Sequence, residues 1–320
     1  MRLLRSDDVD ALCSIELGLE AARRTAELVA AGAVTTGRVQ VGDTETWTRV
    51  LVGIIPELDL IGHKEFHRVG KRVRYHITLA THSTGDALGI VDGRRITSLR
   101  TASTAALAHR HGVGEKPVAI AVIGSGEEAR EGLRAVAGAS NVESARIFSP
   151  TAANREALAG EAGETMGVPA QPVASVAEAL EGATSAYVAT AARAPVVTGA
   201  DVAALDFVAA VGATRPDHHE LSGDVLTTAA RVIVDCRDAT EEPGDAIDAV
   251  ERFGWDRSAA TLLGTWLGED GGSDAGAPRL FKSIGSVEQD LVLAFELLRA
   301  AEERGLGDVV EPVGSLRLMR

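Results

Sequence analysis

The apolar positions along the chain first follow a helical spacing, then alternate over short stretches, and then return to a helical spacing. Residues 15–31 carry apolar side chains on one face of a predicted helix, which Gly32 ends. Residues 38–92 contain short extended stretches separated by turns, which predicts a mostly antiparallel sheet. A helix is predicted over residues 100–111, ending at Gly112. The first helical face consists of Ile15, Leu19, Ala22, Ala26 and Val29, and the extended stretches lie at 49–55, 72–81 and 87–91.

After Pro117 the pattern changes to alternating strands and helices. Residues 118–123 form an apolar run of strand length, followed by a glycine turn and an amphipathic helix. This alternation predicts a parallel sheet with helices on its faces. A Gly- and Asp-rich loop is predicted at 269–278, before a last helix that begins at Ser286, has Gln289 placed for a capping box, and ends at Gly305. Further strands are predicted at 145–149, 185–190, 207–212 and 232–235.

The predicted fold class is α/β. Residues 116–285 are expected to form a Rossmann-type parallel sheet. Residues 1–115 and 286–320 are expected to form a discontinuous α+β domain, because the last helix is predicted to pack on the first segment. A length of 320 residues is in line with about two domains.

Composition narrows the function classes. The net charge of −14 argues against nucleic acid as a partner, although a few local cations can still bind a small anion. Cys13 and Cys236 have neither metal-ligand spacing nor a disulfide framework, and the eight histidines suggest no metal geometry, so no metal is predicted. The chain shows no apolar run of about 18–20 residues and no signal-peptide core, which predicts a cytoplasmic protein without a membrane partner.

The glycine turn after the first predicted parallel strand is a candidate dinucleotide site. Residues 124–129 read GSGEEA and match G-x-G-x-x-A between a strand and a helix. One glycine permits the tight turn, the next lets backbone N–H groups approach a pyrophosphate, and the helix N-terminus adds partial positive charge. The alternative is a glycine turn that only reverses the chain. The context favours dinucleotide binding, with Gly124, Ser125, Gly126 and Glu127 as contacts.

The end of the second parallel strand bears on the choice of cofactor. NAD-binding proteins usually have an acidic residue there, because a carboxylate accepts a hydrogen bond from the ribose 2′-hydroxyl. This chain has Phe148-Ser149-Pro150-Thr151, with Arg155 one turn into the next helix. Ser149, Thr151 and Arg155 can each donate to a 2′-phosphate. NADP(H) is therefore the preferred cofactor, and NAD(H) remains possible.

Three cations are candidates for binding a carboxylate. Arg100 lies at the start of a predicted helix, where the helix dipole opposes a cation unless an anion binds there as well. The alternative is an arginine that points into water. Arg38 and Lys64 come from the preceding extended region, and a surface salt bridge would equally explain Lys64. Composition alone does not join the three residues into one site.

Four blocks of the sequence resemble the ornithine cyclodeaminase/mu-crystallin family. Residues 96–107 read ITSLRTASTAAL and resemble the family's LT-x-x-RTAA signature, and the turn at 124–129 is similar to its GxGxQA turn, with Glu128 replacing Gln. Residues 211–221 read VGATRPDHHEL and resemble a block of the form GA-x-x-P-x-x-x-EL. Residues 281–291 read FKSIGSVEQDL and resemble its KS-x-G-x-x-x-x-D segment. The blocks keep the family's order and spacing over nearly the whole chain.

The resemblance implies a Rossmann domain beside a substrate-binding and dimerising domain, in a homodimer. It also implies that Arg38, Lys64 and Arg100 hold a substrate carboxylate near the nicotinamide, and that Ser283 contacts the nicotinamide side. Together with the residues of the glycine turn and the second strand, the expected cofactor contacts are Thr101, Thr190, Ala191, Gly212 and Ser283.

Two departures from the family bear on substrate and mechanism. The stretch between Lys64 and Thr84 is shorter than the family's usual substrate loop and lacks its proline/asparagine element. The family's cyclodeaminases and alanine dehydrogenases carry an aspartate where this chain has Thr214, whereas the version here is similar to the mu-crystallin branch, which reduces ketimines. Asp217 is displaced in register and is expected to face elsewhere.

These observations favour an NAD(P)H-dependent reductase of a small α-imino acid, such as a ketimine or a cyclic imine carboxylate. Reduction of a protonated imine requires mainly that substrate and cofactor be aligned, whereas cyclodeamination needs a positioned acid/base group. The predicted roles are a carboxylate clamp for Arg38 and Arg100, a charge and proton relay for Lys64, and a hydrogen bond to the substrate nitrogen for Thr214. The alternatives are a redox-neutral ornithine cyclodeaminase, an alanine-type amino-acid dehydrogenase, and a non-enzymatic cofactor- or ligand-binding protein.

Overall fold

The computed structural model describes residues 1–269, 278–312 and 314. The predicted loop at 269–278 lies outside the described residues except at its two ends. The chain divides into two compact units, the first made of Met1–Leu17, Gly32–Thr97 and Val287–Arg320, the second of Gly18–Ala31 and Ser98–Ser286. Residues 18–31 and 98–115, which were predicted to belong to the first domain, therefore lie in the second unit.

The helices are α1 (Ser6–Leu12), α2 (Ile15–Ala30), α3 (Arg94–Val113), α4 (Glu127–Ala139), α5 (Ala152–Thr165), α6 (Val176–Leu180), α7 (Gly199–Val202), α8 (Asp224–Thr228), α9 (Gly244–Phe253), α10 (Leu263–Leu267) and α11 (Val287–Arg304). The first strands are β1 (Arg2–Leu4), β2 (Thr35–Gly42), β3 (Thr46–Ile55), β4 (Leu60–Val69), β5 (Arg72–Thr81), β6 (Ala87–Asp92), β7 (Val118–Ile123) and β8 (Val142–Phe148). The remaining strands are β9 (Ala170–Pro172), β10 (Ser185–Val188), β11 (Arg193–Val197), β12 (Phe207–Ala210), β13 (His219–Leu221), β14 (Arg231–Val234), β15 (Thr261–Leu262), β16 (Arg279–Lys282) and β17 (Asp308–Val309).

The first unit is built on a seven-stranded sheet with the order β17-β1-β6-β5-β4-β3-β2. Strands β2 to β6 form an antiparallel meander, as predicted. Helix α11 packs on one face of this sheet, where glycines leave room for its leucines. A Cβ at Gly53 or Gly62 would lie within 3.0 Å of Leu291, and a Cβ at Gly89 would lie 2.8 Å from Leu298. The predicted packing of the last helix on the first segment is therefore confirmed.

The second unit is built on an eight-stranded sheet with the order β15-β14-β16-β12-β10-β7-β8-β9. Every adjacent pair of these strands is parallel. Apolar cores cover both faces, with Leu133 and Leu158 in one core and Val225 and Ala246 in the other. The strand order reverses between β7 and β10, which in doubly wound sheets marks the crevice where a ligand binds. The predicted α/β fold with a Rossmann-type parallel sheet is confirmed.

The start of α3 differs from the prediction. The helix begins at Arg94, six residues before the predicted start, because the Asp92 Oδ1 atom accepts a hydrogen bond from the Arg94 N–H at 3.1 Å. The Asp92-Gly93 pair that resembles a turn therefore initiates the helix. Arg100 lies inside the helix, so the argument that placed it at a helix N-terminus was wrong.

Two further findings concern the helices. The predicted capping box of α11 is not formed among the described residues, since the Ser286 Oγ atom is buried without a hydrogen-bond partner. No helix in the described part of the chain is both long and apolar enough to cross a membrane. The predicted cytoplasmic location stays a prediction.

Candidate active site

The glycine turn connects β7 to α4 in the second unit. Gly124 has a φ of +124°, and a Cβ there would collide with the carbonyl oxygen of Ala189, after β10. Gly126 caps α4 with extended backbone, and a Cβ there would meet nothing within 4 Å. The first turn of a helix carries N–H groups without intrahelical acceptors. The open space at Gly126 therefore fits a pyrophosphate beside the N-terminus of α4.

Hydrogen-bond donors gather at the end of β8. The Ser125 Oγ atom donates to the Ser149 Oγ atom at 2.9 Å, and the Arg155 Nη1 atom donates to the Ser149 carbonyl at 2.8 Å. Thr151 is exposed at the N-terminus of α5. Residues 148–155 contain no carboxylate. The predicted contacts Ser125, Ser149 and Arg155 thus lie together at the end of β8.

A buried carboxylate that the sequence reasoning left without a role joins the loops after β10 and β12. Glu220 of β13 is 0% exposed and accepts hydrogen bonds from the N–H groups of Thr190 at 2.6 Å, Gly212 at 2.6 Å and Ala213 at 2.7 Å. The predicted contacts Thr190, Ala191 and Gly212 belong to these loops, as does Thr214. The signal was present in the sequence as the final EL of the block at 211–221, but its contacts depend on tertiary structure.

Lys282 and Asp245 complete this buried network. The Lys282 Nζ atom donates to the Ala213 carbonyl at 2.8 Å, and lies 3.1 Å from Asp245 Oδ2 and 4.0 Å from Glu220 Oε2. The Asp245 Oδ1 atom accepts the N–H groups of Glu220 at 2.8 Å and Leu221 at 3.2 Å. Burial raises the pKa of Glu220 to about 7, although Lys282 pulls it down. Glu220 therefore changes its protonation state near neutral pH.

A second carboxylate shapes the segment that contacts Arg100. The Asp235 Oδ2 atom accepts hydrogen bonds from the Ser283 Oγ atom at 2.6 Å and from the Gly285 N–H at 2.8 Å. Gly285 has a φ of +76°, and a Cβ there would collide with the Arg100 guanidinium. The guanidinium therefore packs directly on the Gly285 backbone. Because the Ser283 hydroxyl donates to Asp235, its predicted contact with the nicotinamide would have to use the oxygen as an acceptor.

In the first unit, Lys64 is buried rather than exposed. Its side chain is 3% exposed, and its Nζ atom donates to Asp290 Oδ1 at 2.7 Å and to Thr97 Oγ1 at 2.8 Å. The ammonium also lies 5.7 Å from the ring centroid of Phe66 and 5.5 Å from that of Tyr75. The surface salt bridge considered for Lys64 is therefore wrong. Asp290 had no predicted role beyond ending the KS-x-G-x-x-x-x-D block, and it supplies the carboxylate that pairs with the buried ammonium.

The strand register relates Arg38 to Lys64. Arg38 pairs with Leu51 of β3, and Leu51 pairs with Lys64 of β4. Directly paired residues point to the same face, so Arg38 and Lys64 share one face of the sheet about 10 Å apart, two strand spacings. Arg38 and Lys64 belong to the first unit, and Arg100 to the second.

The remaining candidates differ in how far they are exposed. Thr214 is half-buried in the loop after β12. Asp217 is half exposed and lies 3.2 Å from Arg193 and 3.7 Å from Arg215, so it takes part in surface ion pairs. Thr101 is buried within α3. Among the described residues, no group of three or more His, Cys, Asp or Glu side chains could hold a metal ion.

The parallel sheet, its strand order and the glycine turn define a dinucleotide-binding α/β protein. Residues 62–303 match the ornithine cyclodeaminase/mu-crystallin family. The chain belongs to this family, and the predicted resemblance is confirmed.

Named relatives are similar to this chain over most of its length. The Delta(1)-pyrroline-2-carboxylate reductase of Bacillus cereus is 28% identical over 265 residues, which cover 82% of this chain and 79% of that protein. The ketimine reductase mu-crystallin of Mus musculus is 29% identical over 223 residues, 68% of this chain and 66% of that one. The structure of Thermococcus litoralis Delta(1)-pyrroline-2-carboxylate reductase in complex with NADH and L-proline has a TM-score of 0.89, at 24% identity, over 97% of this chain and all of that one. The last likeness shows the shared fold.

Proposed function

We propose that this protein is an NAD(P)H-dependent reductase of a small α-imino acid. The observation that carries the proposal is that Thr214 stands where the family's cyclodeaminases and alanine dehydrogenases carry an aspartate, on a loop fixed by Glu220 at the carboxyl edge of the dinucleotide-binding sheet. Reduction of an imine that is already protonated does not need a carboxylate there. The reductase relatives support the same class of reaction, and cyclic substrates such as pyrroline- or piperideine-2-carboxylate are the first to test.

The roles of the side chains follow from their charges and surroundings. Arg38 and Arg100 bind the substrate carboxylate, Arg100 with its guanidinium held against Gly285. Lys64 adds positive charge on the face that carries Arg38 and relays the proton, and Thr214 hydrogen-bonds the imine nitrogen. The bound cofactor supplies the hydride that reduces the C=N bond. One hydride at carbon and one proton at nitrogen convert the imino acid to the amino acid.

NADP(H) is the proposed cofactor. Ser149, Thr151 and Arg155 offer donors to a 2′-phosphate, and no carboxylate at the end of β8 opposes it. The proposed pyrophosphate contacts are Gly124, Ser125, Gly126 and Glu127. The proposed contacts on the nicotinamide side are Thr101, Thr190, Ala191, Gly212 and Ser283. A lower KM for NADH than for NADPH would contradict this preference.

The active protein is proposed to be a homodimer. The face of the first-unit sheet opposite Lys64 exposes Val39, Val41, Val52 and Val69, at 57%, 64%, 45% and 59%. Apolar patches of this kind mark protein interfaces. Sedimentation should give a dimer for the wild type and a monomer for Val41→Asp. A monomeric wild type would contradict the proposal.

The reductase proposal is tested by the loss of NADPH absorbance with a panel of cyclic and acyclic imino acids. Arg100→Ala should lower kcat/KM at least tenfold, about 1.4 kcal/mol of transition-state binding, with cofactor affinity unchanged. Arg110→Ala, an exposed arginine on the same helix, is the matched control. Ammonia release from ornithine with catalytic NAD⁺ would favour a cyclodeaminase, and NADH formation from alanine would favour a dehydrogenase. Cofactor binding without any turnover would favour a binding protein.

A further inference from the structure

We propose that Glu220 is a positioning residue that holds the loops after β10 and β12 in the shape that receives the nicotinamide half of the cofactor. The inference rests on the proposed function, because it assumes that a nicotinamide dinucleotide binds at this edge of the sheet. β10 adjoins β7 at the point where the strand order reverses, and β12 is the next strand. The two loops therefore flank the crevice in which such folds bind the reactive part of their ligands.

The geometry shows that one carboxylate joins two separate loops. The Oε1 atom accepts the Thr190 N–H after β10, and the Oε2 atom accepts the Gly212 and Ala213 N–H groups after β12. The loops are closely apposed, since a Cβ at Gly212 would collide with the Thr190 carbonyl. Both oxygens of an ionised carboxylate only accept hydrogen bonds, which matches three donors. Glu220 thus fixes the loops by bonds that no neutral side chain of its size reproduces.

The charges around Glu220 make this role dependent on pH. Lys282 of β16 and Asp245 of α9 face the carboxylate, and the phenol of Tyr187 in β10 also feels its charge. Burial and Asp245 favour the protonated form, whereas Lys282 and the backbone N–H groups favour the ionised form. Protonation turns one acceptor oxygen into a donor. The loops should then lose part of their support as the pH falls below about 7.

The experiment compares two ligands that share the adenosine half. NADPH contains the nicotinamide, and 2′-phospho-ADP-ribose lacks it. Dissociation constants for both are measured with the wild type, with Glu220→Gln, and with Glu251→Gln, an exposed carboxylate on α9 that serves as control. Glu220→Gln should raise the Kd of NADPH at least tenfold at about pH 8 and leave the Kd of the fragment unchanged, because an amide directs an NH₂ group at a backbone donor. The control should match the wild type for both ligands.

The pH dependence of the wild type provides a measurement that needs no variant. The ratio of the NADPH Kd to the fragment Kd should rise as the pH falls from about 8 to about 6, since titration of the shared 2′-phosphate cancels in the ratio. If Glu220→Gln does not fold, this ratio alone decides. A ratio that changes neither with pH nor in the folded variant overturns the inference. Equal weakening of both ligands in the variant also overturns it, because it would indicate a general structural role for Glu220. A wild type that binds no nicotinamide dinucleotide overturns the proposed function and the inference together.

Discussion

Two buried lysines, one in each unit, lie in different electrostatic surroundings. Lys64 in the first unit donates to the carboxylate of Asp290 and to the hydroxyl of Thr97. Lys282 in the second unit lies between two carboxylates, those of Asp245 and Glu220. One lysine cannot neutralise two carboxylates, and burial raises the pKa of Glu220 to about 7. The comparison shows how a buried lysine can either form a fixed ion pair or take part in a cluster that responds to pH.

The largest expected effect comes from breaking the ion pair in the first unit. Asp290→Asn leaves the Lys64 ammonium buried opposite an amide, so the free energy of unfolding should fall by about 3–5 kcal/mol. Urea denaturation followed by circular dichroism measures the change. Replacing both partners with Lys64→Met and Asp290→Leu should recover much of the loss, whereas Glu303→Gln on the exposed side of α11 should change little. A loss no larger than that of the control would show that the pair does not support the fold.

The cluster of Lys282, Asp245 and Glu220 in the second unit should make the free energy of unfolding depend on pH. The pKa of Glu220 is raised from 4.5 to about 7, so between these values the folded state holds a proton that the unfolded state has lost. Stability should therefore decrease as the pH rises from about 4.5 to about 7, by up to about 3 kcal/mol. Denaturation of the wild type and Glu220→Gln across this range isolates the contribution. If the free energy of unfolding changes with pH in the same way in both proteins, Glu220 does not contribute to the pH dependence.

Gly285, three residues after Lys282, lies against the Arg100 guanidinium, so a change there should affect Arg100. Gly285→Ala should displace the Arg100 guanidinium and lower kcat/KM for the imino acid about tenfold. Gly254→Ala is the matched control, because Gly254 also has a positive φ, of +68°, but a Cβ there meets nothing within 4 Å. Both variants carry the same backbone strain. Equal activity of the two would mean that Arg100 does not depend on Gly285.

Replacement of the half-buried Arg155 should have the smallest effect of these changes. Arg155→Ala removes one predicted donor to the 2′-phosphate and should raise the KM for NADPH about fivefold, with little change for NADH, because partly solvated charges contribute about 1 kcal/mol or less. Steady-state kinetics with both cofactors checks this. Glu164→Ala, at the far end of the same helix, serves as the control. An equal rise for both cofactors would place Arg155 away from the 2′-phosphate.

Local signals in the sequence predicted the parallel sheet and the glycine turn. The apolar run of β7 and the glycines after it were found because each depends on neighbours in the chain. The start of α3 was missed because Asp92-Gly93 carries the same local signal for a turn as for a helix cap. Strand β4 was not separated from its neighbours, since its alternation is weak around Gly62 and His63.

The charged partners could not be found in the same way. Asp290 is 226 positions from Lys64, and Lys282 is 62 positions from Glu220, so no local pattern links either pair. Arg38 and Lys64 were assigned to one site only through the family resemblance, and the strand register then placed both on one face. What the sequence lacks is the three-dimensional pairing that turns isolated charges into ion pairs.

The three hydrogen bonds to Glu220 have a consequence for redesign. Because a single side chain fastens both loops, neither loop can be lengthened or reshaped as a separate module. A library that varies residues 190–192 while residues 212–214 stay fixed would mostly contain variants that have lost hydrogen bonds to Glu220. Engineers who seek to widen the range of accepted substrates should therefore vary the two segments jointly and keep the glutamate constant.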